Sequence, residues 1–141
     1  MKNVGEFESG RPGAERTFTV GVLNMIYEIK QPVTLLRTYV DTIIMKHTKE
    51  PLFSEQLASS HLNEVRSFQK DYFELNADIK KYLPNNLITT KSDEVANKID
   101  GLRQCLIVLD ITSMDSVMKS LTELIDEWAK LVHQEILVGS L

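Results

Sequence analysis

Val22-Leu-Asn-Met-Ile26-Tyr-Glu-Ile29-Lys-Gln-Pro-Val33-Thr-Leu-Leu36-Arg-Thr-Tyr-Val40-Asp-Thr-Ile43 is the stretch that decides the fold. Val22, Ile26, Ile29, Val33, Leu36, Val40 and Ile43 recur at alternating steps of four and three, which places them on one seam of a helix. The pattern begins near Thr17 and runs to about His47, a helix of roughly 45 Å at 1.5 Å per residue. Pro32 interrupts it without ending it. Its missing N–H and its clash with the Glu28 carbonyl predict a kink there.

Glu50-Pro51 turns the chain, because the residue before a proline disfavours the α conformation. Ser54 fits the N-cap of a second helix, with Glu55 in its first turn. The stripe of that helix reads Leu57, His61, Val65, Phe68, Tyr72, Leu75, Ile79 and Tyr82, and Pro84-Asn85-Asn86 closes it. Two long helices joined by a short turn form an antiparallel hairpin.

Ser92 followed by Asp93 and Glu94 reads as the start of a third helix, with Val95, Ile99, Leu102, Leu106 and Leu109 as its seam and Gly101 inside it. Thr112 and Asp115 have capping-box spacing ahead of a fourth helix. Its face is Val117, Leu121, Leu124, Trp128 and Leu131, widened by Ile125, Val132 and Ile136, and it stops near Gly139. The fold class is therefore all-α: an antiparallel four-helix bundle made of a long helical hairpin and a second, shorter one. Residues 1–15, with Gly5, Gly10, Pro12 and Gly13 among charges, read as a flexible N-terminal arm, and residues 16–141 as a single bundle domain.

Composition narrows the function. A net charge of −4 with scattered Lys and Arg argues against a nucleic-acid binder, which needs a basic face. The single Cys105 leaves no intramolecular disulfide or Cys-rich zinc site, and it packs as a small hydrophobe. No signal-peptide core or long apolar span is evident, so the expected setting is cytoplasmic, without a membrane. No two histidines have i, i+3 or i+4 ligand spacing, and no metal or cofactor is expected. His47 and His133 sit near helix ends, where a cation suits the dipole. Asp71, Glu74 and Asp78 share a helix face but lack the Glu-x-x-His pairs of a di-metal bundle, so they read as a solvated face.

Tyr27-Glu28-Ile29-Lys30-Gln31-Pro32-Val33-Thr34 resembles the H-box of histidine kinases, which reads His-Glu-(Ile/Leu)-x-(Gln/Asn/Thr)-Pro-Leu-Thr early in a dimerising hairpin. Glu28, Ile29, Gln31, Pro32 and Thr34 match, Val33 replaces Leu, and Tyr27 stands where the phosphoacceptor histidine belongs. The resemblance spans residues 17 to 84. It implies a homodimer, and a surface that docks a kinase or a response regulator through Tyr27, Glu28, Lys30, Gln31, Thr34 and Leu35.

The departures restrict that role. Imidazole nitrogen attacks a phosphoryl group and holds it in a labile bond, whereas a phenol forms a far more stable ester. Nothing after residue 84 resembles an ATP-binding domain, and no glycine-rich phosphate loop is present. The expectation is thus a non-catalytic, pseudo-phosphotransfer interaction protein rather than an enzyme. A phosphatase-assisting role, with Glu28 and Gln31 orienting a water, is a narrower version of the same resemblance, and an unrelated bundle with a chance match is the plain alternative.

Two other readings stand beside it. His61, with Ala58, Ser59 and Ser60 nearby, could be the phosphoacceptor of a histidine phosphotransfer protein, or a bundle-edge histidine satisfied by a neighbour. A helical sensor of a small apolar ligand would show a closed apolar cavity, whereas the simpler expectation is that Phe68, Tyr72, Phe73 and Trp128 fill the core.

Overall fold

The computed structural model describes residues 14–83 and 87–139. Four helices follow one another: α1 (Ala14–His47), α2 (Pro51–Tyr82), α3 (Leu87–Val108) and α4 (Ile111–Gly139). The arm expected over residues 1–15 lies outside the described residues except for Ala14 and Glu15, which already belong to α1. The Pro84-Asn85-Asn86 turn lies outside them as well.

Each helix packs on two neighbours: α1 on α2 and α4, and α3 on α2 and α4. Side-chain pairs fix every neighbouring pair as antiparallel. Phe18 meets Tyr82 and Tyr39 meets His61 across α1 and α2. Gln69 bonds Asp100 and Lys80 pairs with Asp93 across α2 and α3. Lys91 pairs with Glu127 across α3 and α4, and Lys30 with Asp126 across α1 and α4. This is the all-α antiparallel four-helix bundle that the periodicity calls for. At 22 residues α3 is much shorter than α2, at 32, whereas α4 reaches 29.

The α1 seam is buried along its whole length, from Val22 at 0% to Ile43 at 0% exposure. The helix runs unbroken through Pro32, whose ring is exposed, so the lost hydrogen bond falls on the solvent side. On α4 the buried line is Met114, Met118, Leu121, Ile125, Trp128 and Val132. Val117, Leu124 and Leu131, expected at the centre of that face, are half-buried at its flank. Two apolar stripes run side by side on α4, and unbranched Met114 and Met118 fill the centre as adaptable side chains do. Phe73, expected in the core, is 70% exposed, while Phe68, Tyr72 and Trp128 are buried.

Three helix starts differ from the expected caps, two of them because a hydroxyl that could cap a helix can equally satisfy a partner inside a core. α2 begins at Pro51, a residue suited to the first turn, and no side chain caps it. Ser54 is instead buried, donating to the Pro51 carbonyl at 2.8 Å and lying 3.3 Å from His47 Nδ1. Ser92 is a full turn inside α3. Its hydroxyl donates to Asn76 Oδ1, and the buried Tyr72 hydroxyl donates to its carbonyl at 2.7 Å. Asn76 Nδ2 in turn donates to Asp93 Oδ1 at 3.1 Å, so a polar layer ties α2 to α3. α4 begins at Ile111, and the cap is Asp110, whose Oδ1 accepts from the Ser113 N–H at 3.2 Å; Thr112 is not the cap. Leu109 closes α3 with φ 55°, the left-handed conformation common just past a helix end, and the Asp110 N–H bonds back to the Cys105 carbonyl.

Candidate functional site

The residues singled out on α1 straddle its solvent side. Ile26 and Ile29 are 0% exposed, and a helix turns about 100° per residue, so Tyr27 between them points outward at 54% exposure. Glu28, Gln31, Pro32 and Thr34 are exposed with it, and Leu35 is 51% exposed. Thr34 Oγ bonds the Lys30 carbonyl, and Thr38 and Thr42 repeat that i−4 contact up the helix, which keeps this side smooth. The six residues expected to bind a partner thus lie on one surface. Lys30 and Thr34 lie on the α4 side of it, lining a shallow pocket with Thr122, Ile125 and Asp126.

Among the described residues, Lys30 is the one member of that set with an ion pair to a second helix. Its Nζ lies 3.2 Å from Asp126 Oδ1 and 5.2 Å from the centroid of the Tyr27 ring. A shallow groove between α1 and α4, lined by Tyr27, Lys30, Asp126, Ala129, Lys130 and His133, opens beside that ring. Two turns further along, Arg37 bridges Asp41 and Asp115, each at 3.2 Å, and Lys119 pairs with Asp115 at 3.1 Å. The Lys119 ammonium, with Arg37 behind it, holds the Asp115 carboxyl below its ordinary value.

His61 occupies a different place, between α1 and α2. Its ring stacks on Tyr39 at 3.7 Å with the planes 10° apart, and its Nδ1 is 3.2 Å from Glu64 Oε2. With a side chain 19% exposed, it is a bundle-edge histidine held by two neighbours. Desolvation and the Glu64 carboxylate push the Tyr39 phenol up from its ordinary value. Asp71 and Glu74 are exposed and Asp78 half-buried, on a solvated face. Among the described residues no group of three or more His, Cys, Asp or Glu side chains is placed to hold a metal ion, and no helix is long and apolar enough to cross a membrane.

Among the described residues, aromatic and methionine side chains pack the centre of the bundle. Trp128 and Tyr72 meet edge to face at 6.1 Å, with Met25, Met114 and Met118 fully buried alongside them in the same core. Burial holds the Tyr72 phenol far above its ordinary value, the Ser92 contact opposing that only in part.

Sequence reasoning missed Asp126 and Lys130 as members of the site, and took His133 only as a helix-end cation. Their i, i+4 and i, i+3 spacing marks a common face of α4. That this face lies beside Tyr27 depends on the packing of α4 against α1. It also missed an apolar rim at the turn end of the bundle, where Met45, Leu52, Phe53, Ile107 and Val108 are all more than two-fifths exposed.

No protein-family model matches the chain, and neither does any curated protein or solved structure.

Proposed function

We propose that this bundle is a non-catalytic interaction protein that docks a signalling partner through the outward side of α1, as a pseudo-phosphotransfer module. The observation that supports it most is the exposure of Tyr27 at 54% between two fully buried isoleucines, with Glu28, Gln31, Thr34 and Leu35 exposed around it. That is the presentation a phosphoacceptor histidine would need in order to be reached by a partner, with the nucleophile replaced by a phenol. The seam of the first hairpin, which in the resembling proteins is covered by a second copy, is covered here by α3 and α4 of the same chain. A partner therefore meets a finished bundle and reads its surface.

Restoring the missing nucleophile tests the reading. Purified response-regulator receiver domains, phosphorylated with a radiolabelled small phosphodonor, are mixed with wild type and with Tyr27→His. The expected result is that one or more receivers bind wild type without transfer, and that the same receivers leave an acid-labile, alkali-stable label on Tyr27→His. Absence of both binding to wild type and label on the variant would sink the proposal.

A further inference from the structure

We propose that the docking surface continues from α1 onto α4 and that the partner protein presents an apolar side chain flanked by carboxylates. This rests on the reading of Tyr27 as a docking residue and adds the chemistry of what docks.

The charge distribution is the first support. The chain as a whole carries −4, yet two lysines stand beside the exposed Tyr27 ring. Lys30 lies against it, and Lys130 and His133 line the same groove from α4. The groove's one carboxylate, Asp126, is already engaged by Lys30. Among the described residues Lys130 and His133 have no carboxylate within ion-pair distance, so the Lys130 ammonium is free to pair with a partner's carboxylate and the His133 imidazole to hydrogen-bond it.

Apolar surface accompanies that charge at helical spacing. Val20, seven residues before Tyr27 on the same stripe of α1, is 38% exposed, and Leu137, seven after Lys130 on α4, is 55% exposed. The antiparallel Lys30–Asp126 pairing brings both toward the same end of the α1–α4 face. Further up that face the pattern reverses, because Arg37, Asp41, Asp115 and Lys119 bond one another and leave little for a partner. An apolar centre beside a lysine that no carboxylate of its own chain neutralises is the form of a surface that selects its partner by complementary charge.

The test uses the whole ¹⁵N-labelled chain and two synthetic amphipathic peptides that share the same leucines, one carrying Glu and the other Lys at its polar positions. The Glu peptide is expected to shift the amides of Tyr27, Lys130, His133 and Leu137, and the Lys peptide to leave them unmoved. Binding should weaken as salt rises toward about 1 M, where screening acts over about 3 Å. Lys130→Glu combined with His133→Glu should weaken it roughly tenfold, equivalent to about 1.4 kcal/mol, with an unchanged circular dichroism spectrum. Equal binding of both peptides around Tyr27 would overturn the acidic partner and leave the docking reading standing. Shifts confined to Leu52 and Phe53, or none with either peptide, would overturn this inference, and the receiver assay then decides the docking reading separately.

Discussion

Two aromatic side chains show how far burial separates residues of similar chemistry. Tyr27 has neighbours on its own helix and Lys30 over its ring, but half of it faces water. Replacing it by Asp should therefore cost about 0.5 kcal/mol, the range of surface changes, and leave the thermal melt nearly unmoved while partner binding falls. A sharp drop in melting temperature would mean that the ring is structural and would remove the docking role. Trp128 is the opposite case, 0% exposed at the centre of the bundle. Trp128→Ala is expected to cost about 3–5 kcal/mol in urea unfolding followed by circular dichroism. Trp128→Phe should cost clearly less, because it keeps a ring in the space and removes an indole N–H that has no hydrogen-bond partner among the described residues. Equal losses in the two variants would show that ring volume is not what Trp128 contributes to the core.

Single helices carry a second set of effects. Gly101 sits inside α3, half-buried, where a glycine costs backbone entropy without a compensating contact. A Cβ added there would meet only Val117 methyls, at 3.8 and 3.9 Å, which is ordinary van der Waals contact. Gly101→Ala should accordingly stabilise the bundle by about 0.5–1 kcal/mol, read as a rise in urea midpoint. A loss would mean that the approach of α4 to α3 needs the bare backbone. The spacing of apolar residues made all four helices legible, yet it left their starts open. Ser54 and Ser92 have the composition of caps and the positions of core hydroxyls, and only the Tyr72–Asn76–Ser92 layer shows why Ser92 lies inside α3.

For the whole molecule, acid stability follows from carboxylates that the fold holds ionised. Arg103, with Gln69 from α2, keeps Asp100 below its ordinary value of 3.8, and Ser113 does the same for Asp110 at the α4 cap. Their folded values lie under the unfolded ones, so the contribution is complete above the ordinary carboxylate range and is lost as pH falls through the folded values. The urea midpoint should be flat near neutrality and fall below about pH 4. Asp100→Asn should flatten that fall, and an unchanged acid limb in the variant would count against the Arg103 contact. The sequence by itself determined the four helices and the α1 seam, because helical periodicity is local and a strict repeat admits one buried face. Only the tertiary structure decided which of two apolar stripes on α4 turns inward, that Phe73 stays in solvent, and that Lys130 and His133 stand beside Tyr27. Those outcomes depend on which helix lies against which and in what register, and that is settled by side chains far apart in the chain filling one volume together.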